Sequence, residues 1–422
     1  TASGYMKMRC TQQSLHGMSP MTSLKYRLPA VATTATDHAS ATNVLGRTPL
    51  THPYVKRATL PLGVDRATLI IHPVGEPSGG GGNVQVTAAT VASTGMYVPA
   101  RVLTSAELEE RLGVPPGWIA ARCGVRERRL AAPAEATSDL AAAAARAALE
   151  GAGISAEGLD LLIVCTSTPD YPMPPTAPLV LARLGARQAG GFDLAAACSG
   201  FVYGLGVADA LIRAGRARTV LLVGANVMSR RVNWQDRDTA ILFGDGAGAL
   251  LLAADAAPGG QPAPLPTEAR GLLTVRLLAD GTAADLFLVP AGGSREPLTP
   301  ASLAAGRDRM SMRGGPLVRR AVRTMARLLW EALAERGLEP GDLDWLVPHQ
   351  ANLRIIHALA RELGFPMEKV VVNVDRYGNT SAASIPIALH EAASDGRLRR
   401  GQLVGLVAFG GGLTAAAGLL RW

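Results

Sequence analysis

Three short stretches of this 422-residue chain carry residues that could do chemistry together. FDLAAACSGFVYGL, Phe192 to Leu205, sets Cys198 among alanines and glycines. Free cysteine often serves only as a small buried hydrophobe. Cys198, however, follows the strand-like GGFDL and opens an apolar run of helical length. A thiolate at a helix N-terminus is stabilised by the helix dipole and by free backbone N–H groups. Filler and nucleophile both stand at this point. LVPHQANLRI, Leu346 to Ile355, puts His349 at the end of a short β-type run, where open α/β sheets place their sites. The alternative is a structural histidine bonded to backbone. DRYGNTSAASIPIALHEA, Asp375 to Ala392, sets Asn379 between a turn glycine and a helical run, as an N-cap or as a site residue. A fourth stretch, AFGGGLT from Ala408 to Thr414, is either a plain turn or a source of backbone N–H groups aimed at an oxyanion. FGDGAGALLL, Phe243 to Leu252, looks like a dinucleotide fingerprint. Apolar residues flank it on both sides and no long helix follows, so a strand–turn–strand is expected.

The elements that must position these residues occur twice. AALEGAGISAEGLDLLIV, ending at Val164, parallels EALAERGLEPGDLDWLVP, ending at Pro348. Leu149, Gly153, Leu159 and Asp160 match Leu333, Gly337, Leu343 and Asp344 at a constant offset of 184 residues. The same offset lays TVLLVGA, from Thr219, on LVGLVAF, from Leu403. It pairs Cys165 with His349, and it sets the Cys198 and Asn379 motifs at the starts of equivalent helices. The reading is two halves of one fold, 84–255 and 256–422, each alternating helices with apolar strands. Near-continuous apolar strands and a helix apolar on most faces imply layered α/β architecture with that helix buried between sheets. GQLVGLVAFGGGLTAAAGLL, Gly401 to Leu420, carries no charge but is broken by three glycines, so two buried strands are expected rather than a membrane span.

Composition narrows the function classes. Hydrophobic residues make up 48% of the chain, enough for a large core. The four cysteines form no CxxC pair and lie near no histidine in sequence, so neither a zinc site nor a disulfide framework is expected. A reducing compartment, the cytoplasm, fits that usage. Aromatics are only 4%, which argues against stacking platforms for nucleic acid. The net charge of +8 is concentrated at the start, since residues 1–83 hold eight Lys/Arg against three Asp/Glu. The remainder is nearly balanced and suits a small acidic ligand better than a polyanion. Residues 1–83 read as a poorly ordered, non-catalytic extension that ends in the Gly-rich linker SGGGGN and lacks the apolar core of a secretory signal.

Taken together, AACSGF, HQANLRI and GNTSAAS resemble the β-ketoacyl-acyl-carrier-protein synthase III family over about residues 84–422. The resemblance implies a thiolase-like duplicated αβαβα five-layer fold, a homodimer and a Cys–His–Asn site. It implies no cofactor of the protein's own, since CoA and phosphopantetheine arrive with the substrates, acyl-CoA and malonyl-acyl carrier protein. Cys198 would be the acyl-accepting nucleophile, and His349 and Asn379 the donors that stabilise the enolate formed as carbon dioxide leaves. The N–H groups of Cys198 and Gly411 would form the oxyanion hole. Trp118, Arg122, Arg237 and Asn352 would hold CoA. Phe243, Met228 and Met173 would shape the acyl pocket, Met173 from the dimer partner. Arg319, Arg354 and Arg361 would face the carrier protein.

These types suit the reaction. Acyl transfer needs a nucleophile that is also a good leaving group, which a thiol supplies. Decarboxylation needs fixed donors for a developing oxyanion rather than a strong base. The sequence departs from the family at Ala415, where a tryptophan is common, and in the insert AAPGGQPAPLPTEA, Ala256 to Ala269. A rival reading on the same fold is an acyltransferase moving an acyl group to a hydroxyl or amine without decarboxylation. A thiolase is disfavoured because no second cysteine follows Cys198, and a hydride-transfer enzyme by the setting of FGDGAGA.

Overall fold

The computed structural model describes residues 68–71, 88–254 and 270–422. Two five-stranded sheets organise the chain. The first runs in the order Ala89–Tyr97, Asp245–Ala254, Thr219–Val227, Leu161–Cys165, Gly190–Leu194. Its first two pairings are antiparallel and its last two parallel. The second runs Thr68–Ile71, Gly271–Ala279, Thr414–Arg421, Leu403–Gly410, Trp345–Pro348. Its last pairing is parallel and the others antiparallel.

The 184-residue repeat is therefore structural. Leu161–Cys165 and Trp345–Pro348 occupy equivalent places, as do Thr219–Val227 and Leu403–Gly410. The halves differ at both edges. Where the first sheet ends in Gly190–Leu194, the second has only a single parallel bridge from Val370 to Leu346. Thr68–Ile71 extends the second sheet at its other edge, inside the segment expected to be irregular; otherwise residues 1–83 lie outside the described residues. So does most of the join, residues 255–269 with its Pro/Ala-rich insert.

Five layers follow from where apolar surface is buried. One core lies between the helices Thr137–Ala152 and Thr176–Leu184 and the outer face of the first sheet. A second fills the space between the sheets and holds the helices Gly200–Arg213 and Ser384–Ser394. A third lies between the second sheet and the helices Gly314–Glu335 and Leu353–Leu363. Sandwiched helices have no face for solvent, which explains why SGFVYGLGVADALIR and SIPIALHEA are apolar almost all round.

FGDGAGALLL departs from expectation. Asp245–Ala254 is one continuous strand that runs through the glycines. A Cβ on Gly248 would sit 2.6 Å from the backbone nitrogen of Ile387, so its glycine lets a central helix touch the sheet rather than turning the chain. The uncharged C-terminal run is the expected pair of strands, Leu403–Gly410 and Thr414–Arg421. Among the described residues no helix is long and apolar enough to cross a membrane.

Candidate active site

The chain leaves strand Gly190–Leu194 and enters a tight turn in which Ala197 takes a left-handed backbone, φ 48°. Ala197–Ser199 is a single 3-10 turn, and the buried helix follows from Gly200. Cys198 thus sits just ahead of the helix rather than in it, and is 4% exposed. Thr414 and Ser199 tie this turn to the glycine turn: Thr414 Oγ1 donates to Ala196 O at 2.8 Å, and Ser199 Oγ donates to Thr414 O at 3.1 Å. Gly410 lies directly against the nucleophile, where a Cβ would stand 2.6 Å from Cys198 N.

The second half brings its matching turn to the same place. Ser381–Ala383 is again a 3-10 turn, and its helix begins at Ser384. Ser381 Oγ donates to Cys198 Sγ at 3.5 Å. Asn379 does not cap that helix in the ordinary way. Its Oδ1 accepts Ser381 N–H at 2.8 Å, and its backbone bridges to Phe243 and Gly244. His349 follows strand Trp345–Pro348, and its N–H continues the parallel ladder to Val407 O at 2.8 Å. Its Nδ1 lies 2.7 Å from Ser384 Oγ, while Nε2 is buried without a protein partner.

Cys198, His349 and Asn379 all line one cavity of about 570 Å³. Its inner wall is largely apolar, with Phe243 stacked on Phe287 at 6.0 Å between ring centres. Burial disfavours charge on both reactive groups. The Cys198 thiol is pushed up to about 11 by burial, partly offset by the Ser381 hydrogen bond. Burial alone lowers His349 to about 3. Burial thus favours a neutral thiol and a neutral imidazole over a thiolate–imidazolium pair.

The other expected residues divide. Arg122, Asn352, Phe243, Arg319 and Arg354 line the same cavity. Arg122 stacks over Trp118 at 4.8 Å. Arg237 donates to Leu112 O at 3.1 Å and is not among the residues lining the cavity. Asn352 caps the helix Leu353–Leu363 by accepting Arg354 N–H at 2.8 Å. Arg354 spends part of its guanidinium on Ala121 O at 2.8 Å. Gly410 lines the cavity beside Cys198, and Gly411 follows it in the same turn, against Phe287 and Ala197. Met228 belongs to the hydrophobic core at 4% exposure and is not part of the cavity wall. Met173 is 85% exposed on the Pro-rich loop, away from this chain's own cavity. Arg361 is exposed on the last turn of its helix, outside the lining. The residues that sequence reasoning passed over are Ser199, Ser381, Ser384 and Thr414. Their one sequence signal was a set of hydroxyls embedded in otherwise apolar helix starts and strand.

Comparison with known proteins agrees with this geometry. Residues 192–269 match the family model described as 3-oxoacyl-[acyl-carrier-protein] synthase III, and residues 333–422 match its C-terminal model. A β-ketoacyl-[acyl-carrier-protein] synthase III of Roseiflexus sp. (strain RS-1) is 52% identical over 334 residues, 79% of this chain and 98% of that protein. The crystal structure of 3-oxoacyl-[acyl-carrier-protein] synthase III from Aquifex aeolicus VF5 superposes with a TM-score of 0.71 at 41% identity, covering 79% of this chain and 100% of that one. The priming β-ketosynthase of the R1128 polyketide pathway superposes with a TM-score of 0.71 at 35% identity, covering 80% and 96%.

Proposed function

The chain belongs to the β-ketoacyl-acyl-carrier-protein synthase III family of thiolase-fold condensing enzymes, and from that premise we propose how its own residues carry the condensation. In the first half-reaction Cys198 sulfur attacks the carbonyl of an acyl-CoA. A C–S bond forms to the enzyme, the C–S bond to CoA breaks, and the thiol proton leaves with CoA. The burial of Cys198 disfavours a standing thiolate, so the proton departs as the thioester is attacked. The backbone N–H groups of Cys198 and Gly411 take the developing oxyanion.

In the second half-reaction malonyl-acyl carrier protein enters. Carbon dioxide leaves, and the electron pair moves into an enolate whose oxygen lies between His349 and Asn379. Both are neutral donors, which suits a reaction that needs charge stabilisation rather than proton abstraction. The enolate carbon attacks the acyl-Cys198 carbonyl, a C–C bond forms, the C–S bond to the enzyme breaks, and the sulfur regains a proton from water. The product is a β-ketoacyl-carrier protein. Arg122, which lines the cavity, and Trp118 beneath it suit an adenine and its phosphates. Arg319 and Arg354 suit an acidic carrier.

A homodimer is part of the reading. Strand Gly190–Leu194 is an open sheet edge, and Tyr171 and Met173 on the nearby Pro-rich loop are 55% and 85% exposed. Sedimentation at micromolar concentration checks it, with a monomer as the contrary result.

The observation that carries the reading is the convergence of Cys198, His349 and Asn379 on one cavity. The test is to load the protein with a series of acyl-CoAs, measure the mass added at Cys198, then add malonyl-carrier protein and measure carbon dioxide. Acylation followed by carbon dioxide release is expected. Acylation with transfer but no carbon dioxide would establish the non-decarboxylating acyltransferase instead.

A further inference from the structure

We propose that Ser384 is a positioning residue for His349: its hydroxyl fixes the imidazole in the tautomer that carries hydrogen on Nε2, so that His349 faces the cavity as a donor. The inference rests on reading His349 as a stabiliser of the thioester enolate.

Ser384 opens the helix Ser384–Ser394 and is 2% exposed; His349 is 3% exposed. Two groups meet the Ser384 hydroxyl. Gln350 N–H, 3.3 Å away, can only donate to it. His349 Nδ1, 2.7 Å away, can donate or accept. If Nδ1 also donated, the serine's own hydrogen would face no acceptor among these contacts, and a buried unpaired donor is costly. The serine therefore donates to Nδ1. The remaining ring hydrogen must sit on Nε2, which is buried without a protein partner, on a residue that lines the cavity together with Cys198 and Asn379.

The same helix start orients Asn379. Ser381 N–H occupies Asn379 Oδ1 at 2.8 Å, which leaves the amide nitrogen as that side chain's other end. Two neighbouring serines thus turn two side chains into donors, one through a hydroxyl and one through a backbone N–H. With the opposite tautomer His349 would aim a lone pair at the enolate oxygen, and stabilisation would become repulsion. Gln350 holds the arrangement from the other side. Its amide donates to Pro348 O and Val371 O and accepts from Asn373 N–H, which fixes the backbone N–H that meets Ser384.

The test has two arms. Nitrogen-15 NMR of histidine-labelled wild-type protein reads the tautomer without any substrate; a protonated Nε2 and an unprotonated Nδ1 are expected for His349, and a protonated Nδ1 overturns the proposal. In the kinetic arm, Ser384→Ala is expected to lower carbon dioxide release from malonyl-carrier protein by about tenfold to a hundredfold, on the scale of a weakened oxyanion donor. Acyl loading of Cys198 should stay within about twofold, and Ser384→Thr, which keeps the hydroxyl, should restore decarboxylation. Equal loss of both steps in Ser384→Ala, or no loss of carbon dioxide release, overturns the proposal. A wild type that never loads or decarboxylates would sink the functional reading, while the resonance would still decide the tautomer.

Discussion

Ala197 and Ser381, 184 residues apart in the chain, share a left-handed backbone, φ 48° and 55°, and are the two non-glycine residues with positive φ among the described residues. Each opens a 3-10 turn that leads into one of the two central helices. The first turn delivers Cys198, and the second delivers a hydroxyl to Cys198 sulfur. Left-handed backbone at a residue with a Cβ costs on the order of 1–3 kcal/mol and persists only where the surroundings impose it. Its presence at both symmetry-related turns places the strain at the point where the two halves meet.

Ala197→Gly removes that strain. Stability is expected to stay level or rise by up to about 1 kcal/mol, since glycine takes positive φ without a Cβ clash but adds unfolded-state freedom. Denaturant unfolding checks it; a loss above that size would contradict the strain assignment.

Ser381→Ala removes the hydroxyl bonded to Cys198 sulfur, and Ala197 shows that alanine is held in the equivalent backbone. The Cys198 thiol, already up at about 11 through burial, should rise further. Rates of iodoacetamide alkylation against pH should move to higher pH in the variant. An unchanged profile would mean that the serine does not act on the thiol.

Protonation of His349 should destabilise the fold. Burial holds the imidazole down at about 3, below its ordinary 6.5, so between these values the unfolded chain binds more protons. The contribution is complete above pH 6.5 and is lost as pH falls toward 3, at no more than about 1.4 kcal/mol per pH unit. His349→Gln should flatten that acid limb in denaturant melts. Carbon dioxide release by the wild type should show no inflection near pH 6.5.

Gly410→Ala drives a methyl group to 2.6 Å from Cys198 N. Neither backbone can yield without moving the nucleophile, and overpacking of this kind costs about 1–3 kcal/mol. Acyl loading should fall at least tenfold, read by the mass shift at Cys198. Loading at the wild-type rate would show that the two turns are free to part.

Trp118→Ala removes the indole beneath Arg122, a residue of the cavity wall. This site lies away from the reacting atoms, so its loss should raise KM for acyl-CoA severalfold with kcat nearly unchanged, the signature of binding shared by ground and transition states. A fall in kcat at constant KM would remove Trp118 from the CoA site.

Much of this molecule was legible in the chain alone. Strand and helix character are written in local periodicity, so LDLLIVC, DWLVP and the two central helices stand where their apolar runs lie. The 184-residue offset carried the duplication, and with it the pairing of the two helix starts, because repeated sequence repeats local conformation. Cys198, His349 and Asn379 were legible as residue types at the ends of elements, where layered sheets put chemistry. What tertiary structure decided is everything that depends on contacts between distant residues. Ser384 meets His349 across 35 positions, and Thr414 meets Ala196 across 218. Neither spacing follows a helix or strand period, so no pattern signals it. The same reason buries Met228 in the core and leaves Met173 outside the cavity. Which neighbour faces the cavity is set by how two halves dock, and docking is a property of packed surfaces rather than of local sequence.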